Sequence, residues 1–188
     1  ELLRYFDIDE LLDEKSAPSI WEETKEKLQQ PDMSARALLK NKNVVFVGTT
    51  DDPADDLKAH KQLAQEDIGM TVSPSFRPDQ ALGIEKDEFL AYVEKLEQAA
   101  DMSITNYDDF LAALEKRVQY FDEHGCRSSD HGINVMFYED ATKEEVETIF
   151  AKRQKNEPLS EKEIEQFKTY TLITLGEWYA EKGWVMQL

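Results

Sequence analysis

Arg77, Asp130 and His131 are the residues of this chain whose types and placement best suit chemistry. They lie in polar segments that close short apolar runs: Thr49-Thr50-Asp51-Asp52-Pro53, Ser75-Phe76-Arg77-Pro78-Asp79 and Cys126-Arg127-Ser128-Ser129-Asp130-His131-Gly132. A guanidinium is a planar, permanent cation whose fork fits a carboxylate or a phosphate; the plainer reading of Arg77 is a salt bridge to one of the many acids. A carboxylate beside an imidazole can move protons or hold a metal; the plainer reading has Asp130 capping a turn and His131 at the surface. Asp51 is expected to face a cleft at the strand ends, and Asp52 to cap a helix. Thr49 and Thr50 could bond a polyhydroxylated ligand or serve only as strand residues. His60 and His124 read as surface residues on outer helices, and Cys126 as a packing residue. No two His or Cys residues stand at metal-ligand spacing. Glycine-rich phosphate loops and a G-x-S-x-G elbow are also absent, so the chain by itself shows no metal site.

These side chains must be positioned by alternating strands and helices. Residues 1–42 read as helical, with Ser19 and Glu22 as a capping box, Pro31 past that helix, and Ser34 capping a short one. Asn43 to Gly48 is an apolar run of the kind buried on both faces of a parallel sheet. A helix from about Ala54 to Glu66 should follow, stopped by Gly69. Met70 to Ser73 predicts a second strand. Helices are expected at about 86–99 and 107–123, the latter with Tyr107, Phe110, Leu111, Leu114, Val118 and Phe121 near a 3.6 period, and Gly125 past its end. A third strand is expected around Cys126 to Ser129, while residues 133–138 read as strand or loop. Thr142 with Glu145 and Ser160 with Glu163 are capping boxes. The second opens a long helix with a stripe of Ile164, Phe167, Thr171, Leu175 and Trp178, ended by Gly183 before a last strand over 184–188. Alternation of this kind implies parallel strands, and ligands of such sheets gather at the carboxyl ends of the strands. Four strands cannot close a barrel, which takes about 250 residues. The fold class is therefore α/β, a partial (β/α)8 barrel of about four parallel strands, helix-rich. Residues 1–42 form a helical lead-in and 43–188 the barrel segment.

With 188 residues, 40% of them hydrophobic, the chain has material for a core, and its net charge of -18 argues against a phosphate-backbone partner and an anionic membrane surface. The acidity otherwise reads as a self-repelling exterior. No apolar run reaches the roughly 20 residues that span a bilayer. One cysteine excludes an internal disulfide and fits a reducing, cytoplasmic setting. No signal peptide is seen, and the missing initial methionine and abrupt ends lead to the expectation of a fragment or a processed piece.

The pieces Val47 to Pro53, Phe76-Arg77-Pro78-Asp79, Gly125 to His131, Leu159 to Phe167 and Gly183 to Leu188, in this order, resemble the uronate (glucuronate) isomerase family, an unusual branch of the amidohydrolase-like barrels. The resemblance covers the whole chain. It implies an intramolecular aldose–ketose isomerisation of D-glucuronate and D-galacturonate to D-fructuronate and D-tagaturonate, with a sugar acid as the partner molecule. It places Arg77 and Asp130 at active-site positions, with Arg77 also contacting the anionic substrate, and His131 and Asp51 in substrate-binding motifs. Family members are more than twice as long, and their His-x-His would precede Glu1, with further ligands after Leu188. The resemblance therefore implies no cofactor within this chain and a divalent, zinc-like metal only in the intact parent. It also implies an inactive isolated piece, and it leaves a homo-oligomer open. A non-catalytic acidic α/β interaction domain is the competing reading.

Overall fold

The computed structural model describes residues 1–188, which form two compact units: Glu1–Phe46 with Asp67–Thr71, and Val47–Glu66 with Val72–Leu188. In the first unit, α1 (Leu2–Phe6) ends at Asp7, which takes a left-handed conformation. Helix α2 spans Ala17–Leu28. Its N-cap is Ser16 and not the expected Ser19: Asp13 Oδ1 accepts the N–H groups of Lys15 and Ser16, and Ser16 Oγ accepts the N–H of Asp13, winding the entry turn. Ser19 lies inside the helix and donates to the Ser16 carbonyl. A 3-10 turn, Pro31–Met33, leads to α3 (Ala35–Asn41), capped by Ser34 as expected. Lys27 Nζ donates to the Phe6 carbonyl and ties α1 to α2. Only Ile8 and Ile20 supply buried apolar side chains in this unit.

The second unit holds most of the core and the parallel strands, apart from Phe46 and Thr71, the first residues of β1 and β2. Strand β1 is Phe46–Gly48, β2 Thr71–Ser73, β3 Ser128–Asp130 and β4 Val185–Gln187. Backbone bonds from Thr49 to Ser73 and back from Ser75 to Thr49 continue the β1–β2 ladder. Parallel bridges join Asp51 to Phe76 and Phe76 to Ser129, and β3 pairs with β4 in parallel, Ser128 opposite Val185 and Asp130 opposite Gln187. The strands are thus consecutive neighbours in chain order. The expectation that β1 is buried on both faces fails: Phe46 and Gly48 are exposed, and Val45 is 75% exposed. β1 has a strand neighbour on one side only, and the helix after it is short.

That helix, α4 (Lys58–Leu63), was expected from residue 54. Three aspartates prevent the earlier start by bonding the backbone just ahead of themselves: Asp52 accepts from Ala54 N–H, Asp55 from Leu57 N–H and Asp56 from Lys58 N–H. Such local bonds compete with the helix. Arg117, almost fully buried, takes the carbonyls of Pro53 and Asp55 at 2.6 Å each and that of Ala99 at 3.0 Å. A short α5 (Asp79–Leu82), which the sequence pattern did not indicate, is held by buried Ala81 and Leu82. Helix α6 covers Phe89–Ala100, and α7 covers Tyr107–Glu123 as expected, with Asn106 as N-cap. α8 (Lys143–Gln154) and α9 (Glu161–Lys182) each open with the expected capping box, and left-handed Gly183 ends α9. Residues 133–138 form no strand.

The helices bury an aromatic core. Phe76 meets Phe121 edge-on at 5.1 Å and lies 5.9 Å from Tyr179 and 6.1 Å from Trp184. Phe89, Phe110, Phe150 and Phe167 fill the space between α6, α7, α8 and α9, with Phe89 and Phe167 perpendicular at 5.8 Å. Edge-on packing suits the ring quadrupoles. Tyr107 keeps its hydroxyl satisfied on Thr171, 2.9 Å away.

Candidate functional site

Alternation along the strands sorts the polar residues into two faces. Paired residues of a ladder share a face, and their neighbours point the other way. Phe76 and Ser129 are paired and fully buried under the helices. Ser75, Arg77, Ser128 and Asp130 therefore occupy the opposite face, where Ser75 is buried and Arg77 and Asp130 are partly open to solvent. Ser75 Oγ and Ser128 Oγ lie 3.0 Å apart. One step further toward the strand ends, Arg77 Nη2 stands 3.1 Å from Asp130 Oδ2. Arg77 Nε is 3.4 Å from Asp79 Oδ2, within charge attraction but without an aligned hydrogen bond. Asp79 Oδ1 in turn accepts the Gly132 N–H at 2.9 Å. One cation between two carboxylates leaves the trio with net charge −1.

Arg77, Asp79 and Asp130 keep 39%, 34% and 31% of their side-chain surface in solvent. Pairs this exposed add little stability, so the arrangement matters for the fork's orientation. Nη2 is engaged by Asp130 and Nε faces Asp79, which leaves Nη1 outside both ion pairs. Asp79 and Gly132 also form one wall of a cleft of about 450 Å³ that runs toward Lys86, Asn134 and Lys168.

The structure places the other two sequence-derived site residues elsewhere. His131 is 4% exposed and packs against Tyr179, ring centroids 5.8 Å apart. Its Nδ1 lies 2.8 Å from the Gln187 carbonyl, which can only accept, so Nδ1 carries the proton and Nε2 is a buried lone pair without a partner. Burial pushes its pKa below the usual histidine range, against the opposing pull of the Gln187 carbonyl and of Asp79 and Asp130. Asp51 pairs with Phe76 and so lies on the helix side, away from Arg77 and Asp130. There Thr49 Oγ1 is 2.6 Å from Asp51 Oδ2 and 2.7 Å from His60 Nε2. With Thr49 donating to Asp51, His60 Nε2 is the protonated ring nitrogen. His60, expected at the surface, is thus a partner in a bonded cluster with only 10% of its side chain exposed. The signal available for it was modest: Thr49 and Asp51 share a strand face, and His60 sits on the next helix. Asp79 also escaped the sequence reading as a site residue, although it stands two residues after Arg77.

Cys126 is buried and donates to the Ser128 carbonyl, and burial pushes its thiol up to about 11. No group of three or more His, Cys, Asp or Glu side chains is arranged to hold a metal ion. No helix is long and apolar enough to cross a membrane.

The family described as glucuronate isomerase matches residues 1–188. The uronate isomerase of Caldanaerobacter subterraneus subsp. tengcongensis is 52% identical over 189 residues, covering 100% of this chain and 41% of the relative. That of Bacillus pumilus is 52% identical over 188 residues, covering 100% of this chain and 39% of the relative. The crystal structure of uronate isomerase from Thermotoga maritima superposes with a TM-score of 0.91 at 34% identity, covering 100% of this chain and 41% of that one. The chain therefore spans about two fifths of the length of these relatives, and its parallel strands and helices are part of their TIM-barrel-like fold.

Proposed function

The chain belongs to the glucuronate isomerase family, and from that premise we propose that the longer protein carrying this span interconverts aldose and ketose forms of a sugar acid. The pairs are D-glucuronate with D-fructuronate and D-galacturonate with D-tagaturonate. The observation that supports the reading is the Arg77–Asp130 pair on the open face of neighbouring strands, at their carboxyl ends, where ligands of such sheets bind.

The reaction removes a proton from the carbon beside the aldehyde and returns one to the adjacent carbon. It needs a base, a group that polarises the carbonyl and a cation for the substrate carboxylate. Arg77 serves as that cation through its Nη1 edge. Asp130 accepts from a sugar hydroxyl while its other contact fixes the fork. It is not assigned as the proton-abstracting base. His131, buried and neutral, orients the strand end through Gln187. The side chains of this span do not fit a metal cage. A divalent, zinc-like metal is what the family resemblance implies for the longer protein, and no step here is routed through one. A single buried, unpaired cysteine supports placing the reaction in the cytoplasm.

The full-length protein assayed with glucuronate, galacturonate and a neutral aldose tests the reading. Turnover of the uronates alone, with kcat/KM reduced on the order of 100-fold in Arg77→Met, is the expected result. Unchanged kinetics in that variant would remove Arg77 from the site. The 188-residue chain alone, with or without added zinc, is expected to give no turnover.

A further inference from the structure

We propose that Asp79 is a positioning residue for this reaction, holding the Arg77 guanidinium partly off Asp130 while fastening the strand-end loop at Gly132. The role rests on the isomerase reading above. Two independent contacts carry it. Asp79 Oδ2 faces Arg77 Nε at 3.4 Å, and Asp79 Oδ1 takes the Gly132 N–H at 2.9 Å. One carboxylate thereby joins the segment after β2 to the segment after β3.

The carboxylate is itself held in place. Asp79 is the first residue of α5, whose Ala81 and Leu82 are buried, and Leu82 N–H bonds the Pro78 carbonyl. Gln80, the next residue, donates to Asp52 Oδ2 at 2.8 Å. On the other side, Gly132 leaves room for the carboxylate only because it lacks a side chain. A Cβ built there would stand 2.5 Å from Asp79 Oδ2, far inside van der Waals contact, and a side chain as short as aspartate has little freedom to retreat.

The consequence for Arg77 follows from its geometry. With Asp79 on Nε, the fork meets Asp130 through Nη2 only. Without Asp79, Nε loses its counter-charge, which favours a turn of the guanidinium into a bidentate pair with Asp130, the stronger arrangement for these groups. That pair would occupy the donors and the acceptor the substrate requires. Asp79 therefore acts through Arg77 and need not touch the substrate.

The test uses the full-length enzyme and glucuronate. Asp79→Ala removes both contacts and is expected to lower kcat/KM on the order of 100-fold, with a raised KM. Asp79→Asn keeps an acceptor for Gly132 but loses the charge beside Arg77, and about a tenfold loss is expected. Asp79→Glu, which keeps the charge, should recover part of it. Gly132→Ala should imitate Asp79→Ala, yet add little when combined with it, because the oxygen it would strike is gone. If Asp79→Ala fails to fold, Asp79→Asn with an unshifted melting temperature decides. A wild-type enzyme without uronate turnover overturns the functional reading and this role with it. A wild type that turns over while the Asp79 and Gly132 variants keep its kcat and KM overturns the role alone.

Discussion

Arg77 Nη2 and Asp130 Oδ2 stand 3.1 Å apart across two neighbouring parallel strands. Arg77 follows β2 and Asp130 ends β3, and the bridge between Phe76 and Ser129 sets them level. Because Phe76 and Ser129 are turned into the core, the cation and the carboxylate are turned out of it. The position of the pair is thus fixed by the burial of its neighbours.

The pair should matter for kinetics and hardly at all for stability. With about a third of each side chain in solvent, Arg77→Met and Asp130→Asn should each change the unfolding free energy of the chain by less than about 1 kcal/mol. Urea unfolding checks this. In the full-length enzyme the two substitutions should be non-additive in kcat/KM, since each disables the same pair.

His131 should titrate below 6.5. Burial lowers its folded pKa from that value, so the fold favours the neutral ring. The contribution is complete above pH 6.5, where folded and unfolded chains both carry neutral rings, and is lost as pH falls from 6.5 toward the folded pKa. Ring-proton NMR should give the depressed midpoint. Unfolding of His131→Gln should show a shallower loss of stability on acidification below pH 6.5.

Glu163 should behave in the opposite part of the scale. Lys152 Nζ beside it, at 2.5 Å, and then the N-cap N–H of Ser160 hold its carboxyl down at about 2, against a usual 4.5. Its contribution is full above pH 4.5 and disappears as pH falls from 4.5 to about 2. Lys152→Met should raise the NMR-detected midpoint, and Ser160→Ala, which removes the Oγ–H bond to Glu163 Oε2 but keeps the backbone N–H, should raise it less.

Arg117→Met should be among the costliest single substitutions. It strips charged donors from the Pro53, Asp55 and Ala99 carbonyls at once. At about 1.5–3 kcal/mol for each bond to a charged group, a loss of at least ~3 kcal/mol is expected by chemical denaturation. Hydrogen exchange should rise over residues 53–57, the turn that Arg117 fastens.

Much of the helical framework was legible without coordinates. Thr142 with Glu145 and Ser160 with Glu163 cap α8 and α9 through bonds that reach three residues. Gly183, expected to end α9, adopts the left-handed φ of 69° that glycine reaches without strain. The strand-end motifs were legible too, because a short β-prone run followed by polar and charged residues is a local pattern, although the burial expected of β1 was not found.

What tertiary structure decided lies at longer range. Arg117 fastens the Pro53 carbonyl across 64 residues, and Asp79 meets Gly132 across 53. Asp51 was expected to face the strand-end cleft, yet the Asp51–Phe76 register sends it to the helix side with His60. Local bonds are written in short stretches of sequence because both partners lie within one turn. The face on which a strand residue emerges depends on which residue stands opposite it, and that is settled only when the strands pair and the aromatic core closes over one side.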